Sequence, residues 1–219
     1  VESLIKCGAL DGLGANRRQM LYAFPEISAQ LENDRRRNID GQLGFFDAAP
    51  SEAPQGEYKM PTLEEMDKRE LLRLEKEMTG LYLMGHPMAE YEQLAERLGC
   101  ANTADLRNAD EVGGIYNDES RVDLLCIITN VRKKITKNNT TMAFITAEDV
   151  FGSIEVIVFP KIYERQTQLF TEGNVILIHG RLSVREDEEA KLVCESAEPC
   201  PPADAKRKVS EQVRQASNA

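Results

Sequence analysis

Five short runs of apolar, mostly β-branched residues between positions 121 and 196 constrain the fold of this chain more than any other feature. They are 121–131 (RVDLLCIITNV), 141–147 (TMAFITA), 153–159 (SIEVIVF), 174–182 (NVILIHGRL) and 190–196 (AKLVCES). Alternation of period two places successive side chains on opposite faces of a sheet, so each run is expected to bury one face and wet the other. Polar turns separate the runs, at 132–139, at Glu148–Gly152 and at 186–189 (EDEE). Pro160 has no N–H for a central ladder, but its fixed φ suits the first turn of a helix, which predicts a helix from Pro160 to about Leu169. The resulting order is β-β-β-α-β-β.

Five strands with one helix between the third and fourth is the layout of the OB-fold, a small barrel that commonly binds single-stranded nucleic acid. The part before it reads as helical, so the fold class is α+β. Leu63, Met66, Leu71, Leu74 and Met78 recur at helical spacing, predicting an amphipathic helix over 63–80. A second is expected at 88–98, closed by Gly99, and a third at 104–109, capped by Thr103. Asn16 to Gln30 also has helical texture, which Pro25 is expected to interrupt or restart. The Pro/Ala/Glu-rich stretch 47–62 reads as a linker and 199–219 as a polar tail. The expected divisions are therefore 1–46, 47–62, 63–114, 115–198 and 199–219.

Composition narrows the function. With 27 basic and 37 acidic residues the net charge is −10, so any nucleic-acid contact must come from a local basic patch. No apolar run approaches the ~20 residues needed to cross a bilayer, and no charged-then-apolar leader opens the sequence, so a membrane partner is not expected. Five widely spaced cysteines and only two histidines form no metal-ligand pattern; they read as reduced thiols of a cytoplasmic protein. No phosphate-cradling P-loop, G-x-G-x-x-G or H-E-x-x-H motif occurs, and no active site or cofactor is expected. His86 and His179 are expected to be structural.

Three segments carry candidate chemistry. Gln42-Leu43-Gly44-Phe45-Phe46 places two adjacent aromatics just before the linker. Such a peptide docks by seating Leu43, Phe45 and Phe46 in a partner's pocket while Gln42 hydrogen-bonds to backbone, unless the rings fold back as core. Gln166-Thr167-Gln168-Leu169-Phe170 matches the same template, but its place after the barrel helix predicts burial instead. Arg132, Lys133, Lys134 and Lys137 put four positive charges into six residues between the first two strands, where Phe144 would stack a base and the cations would meet phosphates; the alternative is a solvated hairpin tip. A fainter pattern is Gly8 between Leu4, Ile5 and Leu10. It would form a hairpin whose amides hold a DNA phosphate with help from Lys6, Arg17 and Arg18, or a plain helix C-cap.

Taken in order, several strings resemble the alpha subunits of bacterial replicative DNA polymerase III. These are Glu2-Ser3-Leu4-Ile5-Lys6-Cys7-Gly8-Ala9-Leu10-Asp11 with Arg17 and Arg18, Gln42-Leu43-Gly44-Phe45-Phe46-Asp47, and Gly85-His86-Pro87-Met88 with Tyr91. Met142–Asp149 (MAFITAED) and Gly152–Pro160 (GSIEVIVFP) continue the series. The resemblance implies that Val1 lies near the end of a helix-hairpin-helix region, that Gln42–Phe46 is the internal peptide binding the sliding clamp (beta ring), and that 115–198 is the OB domain meeting single-stranded template DNA. It further implies a parent DNA-directed DNA polymerase, a nucleotidyltransferase using magnesium, whose catalytic carboxylates lie outside this chain and whose other partners are replisome subunits. An RNA- or tRNA-binding OB module and a replisome protein-interaction scaffold are the alternative readings.

Overall fold

The computed structural model describes residues 1–40, 58–109, 114–185 and 188–200. Gln42, Leu43, Phe45 and Phe46 lie outside the described residues, as do most of the expected linker and nearly all of the expected tail. The chain divides into two compact units, Val1–Gly85 and His86–Ala219.

The first unit contains α1 (Glu2–Lys6), α2 (Arg17–Asp40) and α3 (Lys68–Thr79). Pro25 lies inside α2 and does not break it. Met20 and Ala23 are buried just before the proline, so packing holds the helix where one backbone hydrogen bond is missing. Helix α3 begins five residues later than its apolar spacing predicts. Asp67 caps it by accepting from the Glu70 N–H at 2.9 Å. Residues 63–67 are withheld from the helix because they serve α2 instead. The Glu65 carboxylate accepts from the N–H groups of Arg17 at 2.9 Å and Arg18 at 3.1 Å, satisfying two of the orphan donors at the start of α2. Burial pushes the Glu65 carboxyl up, but the amides of Met66, Arg17 and Arg18 more than offset this, leaving it below its usual value.

In the second unit, strands β1 (Arg121–Ile135), β2 (Thr141–Asp149), β3 (Gly152–Val158), β4 (Val175–Ser183) and β5 (Lys191–Pro199) close into a barrel of order β1-β2-β3-β5-β4. All neighbouring pairs are antiparallel except β3–β5. Leu124, Cys126 and Ile128 of β1, Ala143 and Ile145 of β2, and Val156 and Val158 of β3 are fully buried inside. Each large aliphatic so placed contributes roughly 1.5–3 kcal/mol relative to exposure. Helix α6 (Pro160–Arg165) starts at the expected proline but ends before Leu169. Phe170 is buried with its ring stacked on Tyr163, centroids 6.0 Å apart, and Leu169 packs partly buried against the same core, as the context of Gln166–Phe170 predicts, while Thr167 and Gln168 are exposed.

The expected helical division 63–114 does not hold together. Its first half packs in the N-terminal unit and its second half belongs to the barrel. After a short 3₁₀ turn at Ala89–Tyr91, helix α4 (Glu92–Leu98) covers the barrel's outer wall: Met88, Tyr91 and Leu94 pack with Leu125, Ile127, Val175 and Leu177. Helix α5 (Thr103–Arg107) brings Leu106 into the interior cluster. Its cap is Asn102, whose side chain accepts from Asp105 N–H at 2.8 Å. Thr103 instead anchors the helix to the β2–β3 turn: its N–H and hydroxyl donate to Asp149 at 2.8 and 2.6 Å, and Asp149 also accepts from the Phe151 and Gly152 amides. Four donors on one buried carboxylate make this turn a fixed point of the barrel.

Candidate nucleic-acid interface

The basic segment is not a turn through most of its length. Strand β1 continues through Arg132, Lys133 and Lys134 to Ile135, pairing Arg132 with Phe144, Lys133 with Ala143 and Lys134 with Met142. Only Lys137 lies in the connecting turn, closed by the Thr136 N–H to Thr140 carbonyl bond at 2.8 Å. The β-branched and apolar partners on β2 supply the ladder that draws the lysines into a two-stranded ribbon.

Which face these cations take is set by a bulge. In the first half of β1 the even-numbered residues Leu124, Cys126 and Ile128 point inward. The register then shifts between Ile128 and Asn130. One extra residue in a strand of period two exchanges its faces. Beyond it Val131 packs against the core, and Arg132 and Lys134 pair with the outward Phe144 and Met142. Without the bulge both cations would be aimed into the barrel.

The outer face that results is continuous across the sheet. The register aligns Arg132, Phe144, Ile157, Val193 and Arg181 in one lateral row, and Thr146, Glu155, Lys191 and Ser183 in the next. Phe144 is half-buried, and the Arg132 guanidinium lies 5.9 Å from its ring centroid, within cation–π range. A groove of about 440 Å³ is lined by Arg132, Lys133, Lys134, Phe144 and Glu155. Arg132 is 70% exposed. Lys133, Lys134 and Lys137 pair with no carboxylate among the described residues. An aromatic face flanked by exposed cations is the arrangement that stacks a base and neutralises its phosphate.

Two members of this face escape a reading by motif. Phe159 is 49% exposed, and its backbone is still extended (φ −68°, ψ 158°), so it continues the outward series Glu155, Ile157, Phe159. The signal was available, because the residue before a proline is driven into extended conformation and the period-two count carries through it. Glu155 is the other. Its carboxylate accepts from Arg132 Nη2 at 2.5 Å and lies 3.6 Å from Lys191 Nζ. Nothing local to a strand announces that contact.

The N-terminal cations are arranged differently, and the phosphate role expected of Arg17 is corrected. Arg17 is only 2% exposed. Its Nε and Nη2 donate to Asp11, with the shortest contact 2.7 Å, Nη2 also donates to Glu75 at 2.9 Å, and Nη1 donates to the Lys6 carbonyl at 3.2 Å. These acceptors occupy the guanidinium fork from within the unit, which leaves no geometry for a phosphate. Gly8 is required by the same contact: at φ +81° it adopts a left-handed conformation, and a Cβ there would stand 2.1 Å from Arg17 Nη2. Lys6 pairs with Glu2 one turn earlier at 2.8 Å. Arg18 is exposed.

Both histidines sit in structural contacts. His86 accepts from the Met88 N–H at 3.1 Å and approaches Glu148 at 3.3 Å, while His179 lies 2.6 Å from Asp123. Among the described residues no three His, Cys, Asp or Glu side chains are arranged to hold a metal ion. No helix of the described residues is long and apolar enough to cross a membrane.

Comparison with known proteins agrees with the barrel and extends beyond it. Residues 127–199 match the tRNA anti-codon family, described as an OB-fold nucleic acid binding domain. Over 195 residues, 88% of the chain, the sequence is 33% identical to the DNA polymerase III subunit alpha of Borreliella burgdorferi, and over 193 residues it is 32% identical to that of Aquifex aeolicus. The chain is related to DNA polymerase III alpha subunits. It spans only 16% and 14% of those two relatives' lengths. Among solved structures, the mitochondrial single-stranded DNA binding protein Rim1 of S. cerevisiae aligns with 38% of the chain and 96% of its own at a TM-score of 0.31 and 15% identity. The relatedness to alpha subunits covers both compact units of the chain, the helical one as well as the barrel.

Proposed function

We propose that this chain is the part of a polymerase III alpha subunit that holds single-stranded template DNA on the outer face of its barrel and ties the polymerase to its sliding clamp. The observation that carries the DNA reading is the groove in which Phe144 lies beneath Arg132 with Lys133 and Lys134 at its rim. In this reading Lys137 at the ribbon tip extends the phosphate track, and Phe159 offers a second stacking ring. The parent is a DNA-directed DNA polymerase acting in the cytoplasm with other replisome subunits, and its magnesium is held elsewhere in that protein. The barrel contributes binding only.

Titrating the full chain with fluorescent oligo-dT at several salt concentrations tests the DNA reading. Replacing Arg132 and Lys134 by Ala is expected to weaken binding about tenfold and to lower the slope of log K against log salt by roughly 1.4, about 0.7 for each phosphate that is no longer neutralised. Unchanged affinity and slope would reduce the ribbon to a solvated hairpin. Tighter binding of an RNA of equal length would favour the alternative of an RNA module, the one that the tRNA anti-codon match supports.

The clamp reading rests on Gln42-Leu43-Gly44-Phe45-Phe46 and on relatedness to alpha subunits. Three large apolar anchors at roughly 1.5–3 kcal/mol each, less the ordering cost, give micromolar attachment. Leu43→Ala with Phe46→Ala is expected to weaken capture by the cognate clamp ring at least about tenfold. Equal capture of the double variant would remove the tether.

A further inference from the structure

The groove already contains an anion. Glu155 projects from the centre of β3 onto the same outer face as Phe144, and its carboxylate takes Arg132 Nη2 at 2.5 Å across the aromatic ring. A phosphate arriving at Arg132 must replace that carboxylate. Across the other edge of β3, Lys191 is the lateral partner of Glu155 in the register, with its Nζ 3.6 Å away and a second contact to Glu188 at 3.3 Å.

We propose that Glu155 is an internal counter-anion of the nucleic-acid groove: it holds Arg132 over Phe144 in the free protein and is handed to Lys191 when a phosphate takes its place. This deepens the reading of the ribbon as a single-strand site and rests on it. The exchange has a physical direction. Glu155 lies between two cations, so leaving Arg132 does not strand it; the carboxylate keeps a charged partner and remains solvent-accessible at 27% side-chain exposure. The arrangement also keeps the exposed guanidinium positioned above the ring before any ligand arrives, which lowers the ordering cost of binding. Its consequence is weaker but more selective binding. A ligand gains from Arg132 only if it offers an anion to replace the carboxylate, and a neutral stacking compound gains nothing.

The roles of Glu155 and Lys191 separate in a double-mutant cycle on the full chain, read by oligo-dT anisotropy at low salt. Glu155→Gln is expected to tighten binding about two- to fivefold, the range for freeing an exposed ion pair, and to leave the slope of log K against log salt nearly unchanged, because phosphate neutralises Arg132 in both proteins. Lys191→Met is expected to weaken binding in the parent sequence and to have little effect in the Glu155→Gln background, because the lysine acts through the carboxylate. Glu155→Gln that leaves affinity unchanged or lowers it overturns the exchange. An equal drop from Lys191→Met in both backgrounds also overturns it, since the lysine would then contact DNA directly. Arg132→Ala distinguishes this failure from failure of the site: if it weakens binding while Glu155→Gln does not tighten it, only the exchange falls, and if it changes nothing the groove reading falls with it.

Discussion

Arg17 and Arg132 are the same residue type, each bonded to carboxylates, and they do opposite work. Arg17 is enclosed in the N-terminal unit between Asp11 and Glu75, with four of its five N–H donors in use, the fourth on the Lys6 carbonyl. Arg132 reaches one carboxylate from an exposed strand and keeps donors toward solvent. The lesson is that an arginine is available to a ligand according to how many of its five donors the fold has already used. Charge and proximity to a glycine turn do not decide it. The buried pair holds α1, α2 and α3 around a fixed centre; the exposed one presents a positioned charge.

The sharpest way to break this contrast is to remove the buried partner. Arg17→Met leaves Glu75 fully enclosed without its cation and is expected to destabilise the N-terminal unit by about 3–5 kcal/mol. Hydrogen exchange across the full chain would register this as reduced protection in α1–α3 with the barrel strands unchanged. A reduction confined to the barrel would contradict the placement of the network.

A smaller effect is expected from acid. Burial pushes the Glu75 carboxyl up, yet the amides of Met84 and Leu83 together with the Arg17 guanidinium outweigh it and hold the group below its ordinary value. The carboxylate is thus favoured more in the folded unit than in the unfolded chain, so its contribution is complete above the ordinary carboxylate range of about pH 4–5 and is lost as pH falls through the depressed folded value. Exchange protection of the N-terminal unit should fall more steeply with acid in the wild-type chain than in Glu75→Gln, whose lower stability no longer follows this titration. Parallel acid profiles would place the sensitivity elsewhere.

The smallest stability effect belongs to the exposed arginine. Arg132→Ala should change the thermal midpoint by no more than the equivalent of about 0.5 kcal/mol, since surface ion pairs contribute little, while still weakening oligo-dT binding. A large loss of stability would mean that Arg132, like Arg17, belongs to the structure.

These contrasts also show how far local signals reach. The five strands, the helix after Pro160 and the burial of Phe170 were legible because alternation, a proline and a run of apolar residues act over a few positions. The outward place of Phe159 was legible too, through its proline neighbour. The start of α3 was not: Leu63 and Met66 fit the helical period, but Glu65 is claimed by α2, whose first N–H groups lie 48 residues away in sequence. The division at 63–114 failed for a similar reason, since helical spacing shows which side of a helix is apolar and not which unit will cover it.

Composition and periodicity were enough to fix a five-stranded barrel preceded by helices, a net acidic chain with one basic segment after its first strand, and a candidate stacking ring at Phe144. Folding in three dimensions decided the rest. It gave Arg17 to Asp11 and Glu75, turned Arg132 and Lys134 outward through the bulge after Ile128, and set Glu155 against Arg132. Each of those outcomes depends on partners brought from distant positions, or on a one-residue shift of register, and the energies involved belong to pairs that no short window of sequence contains.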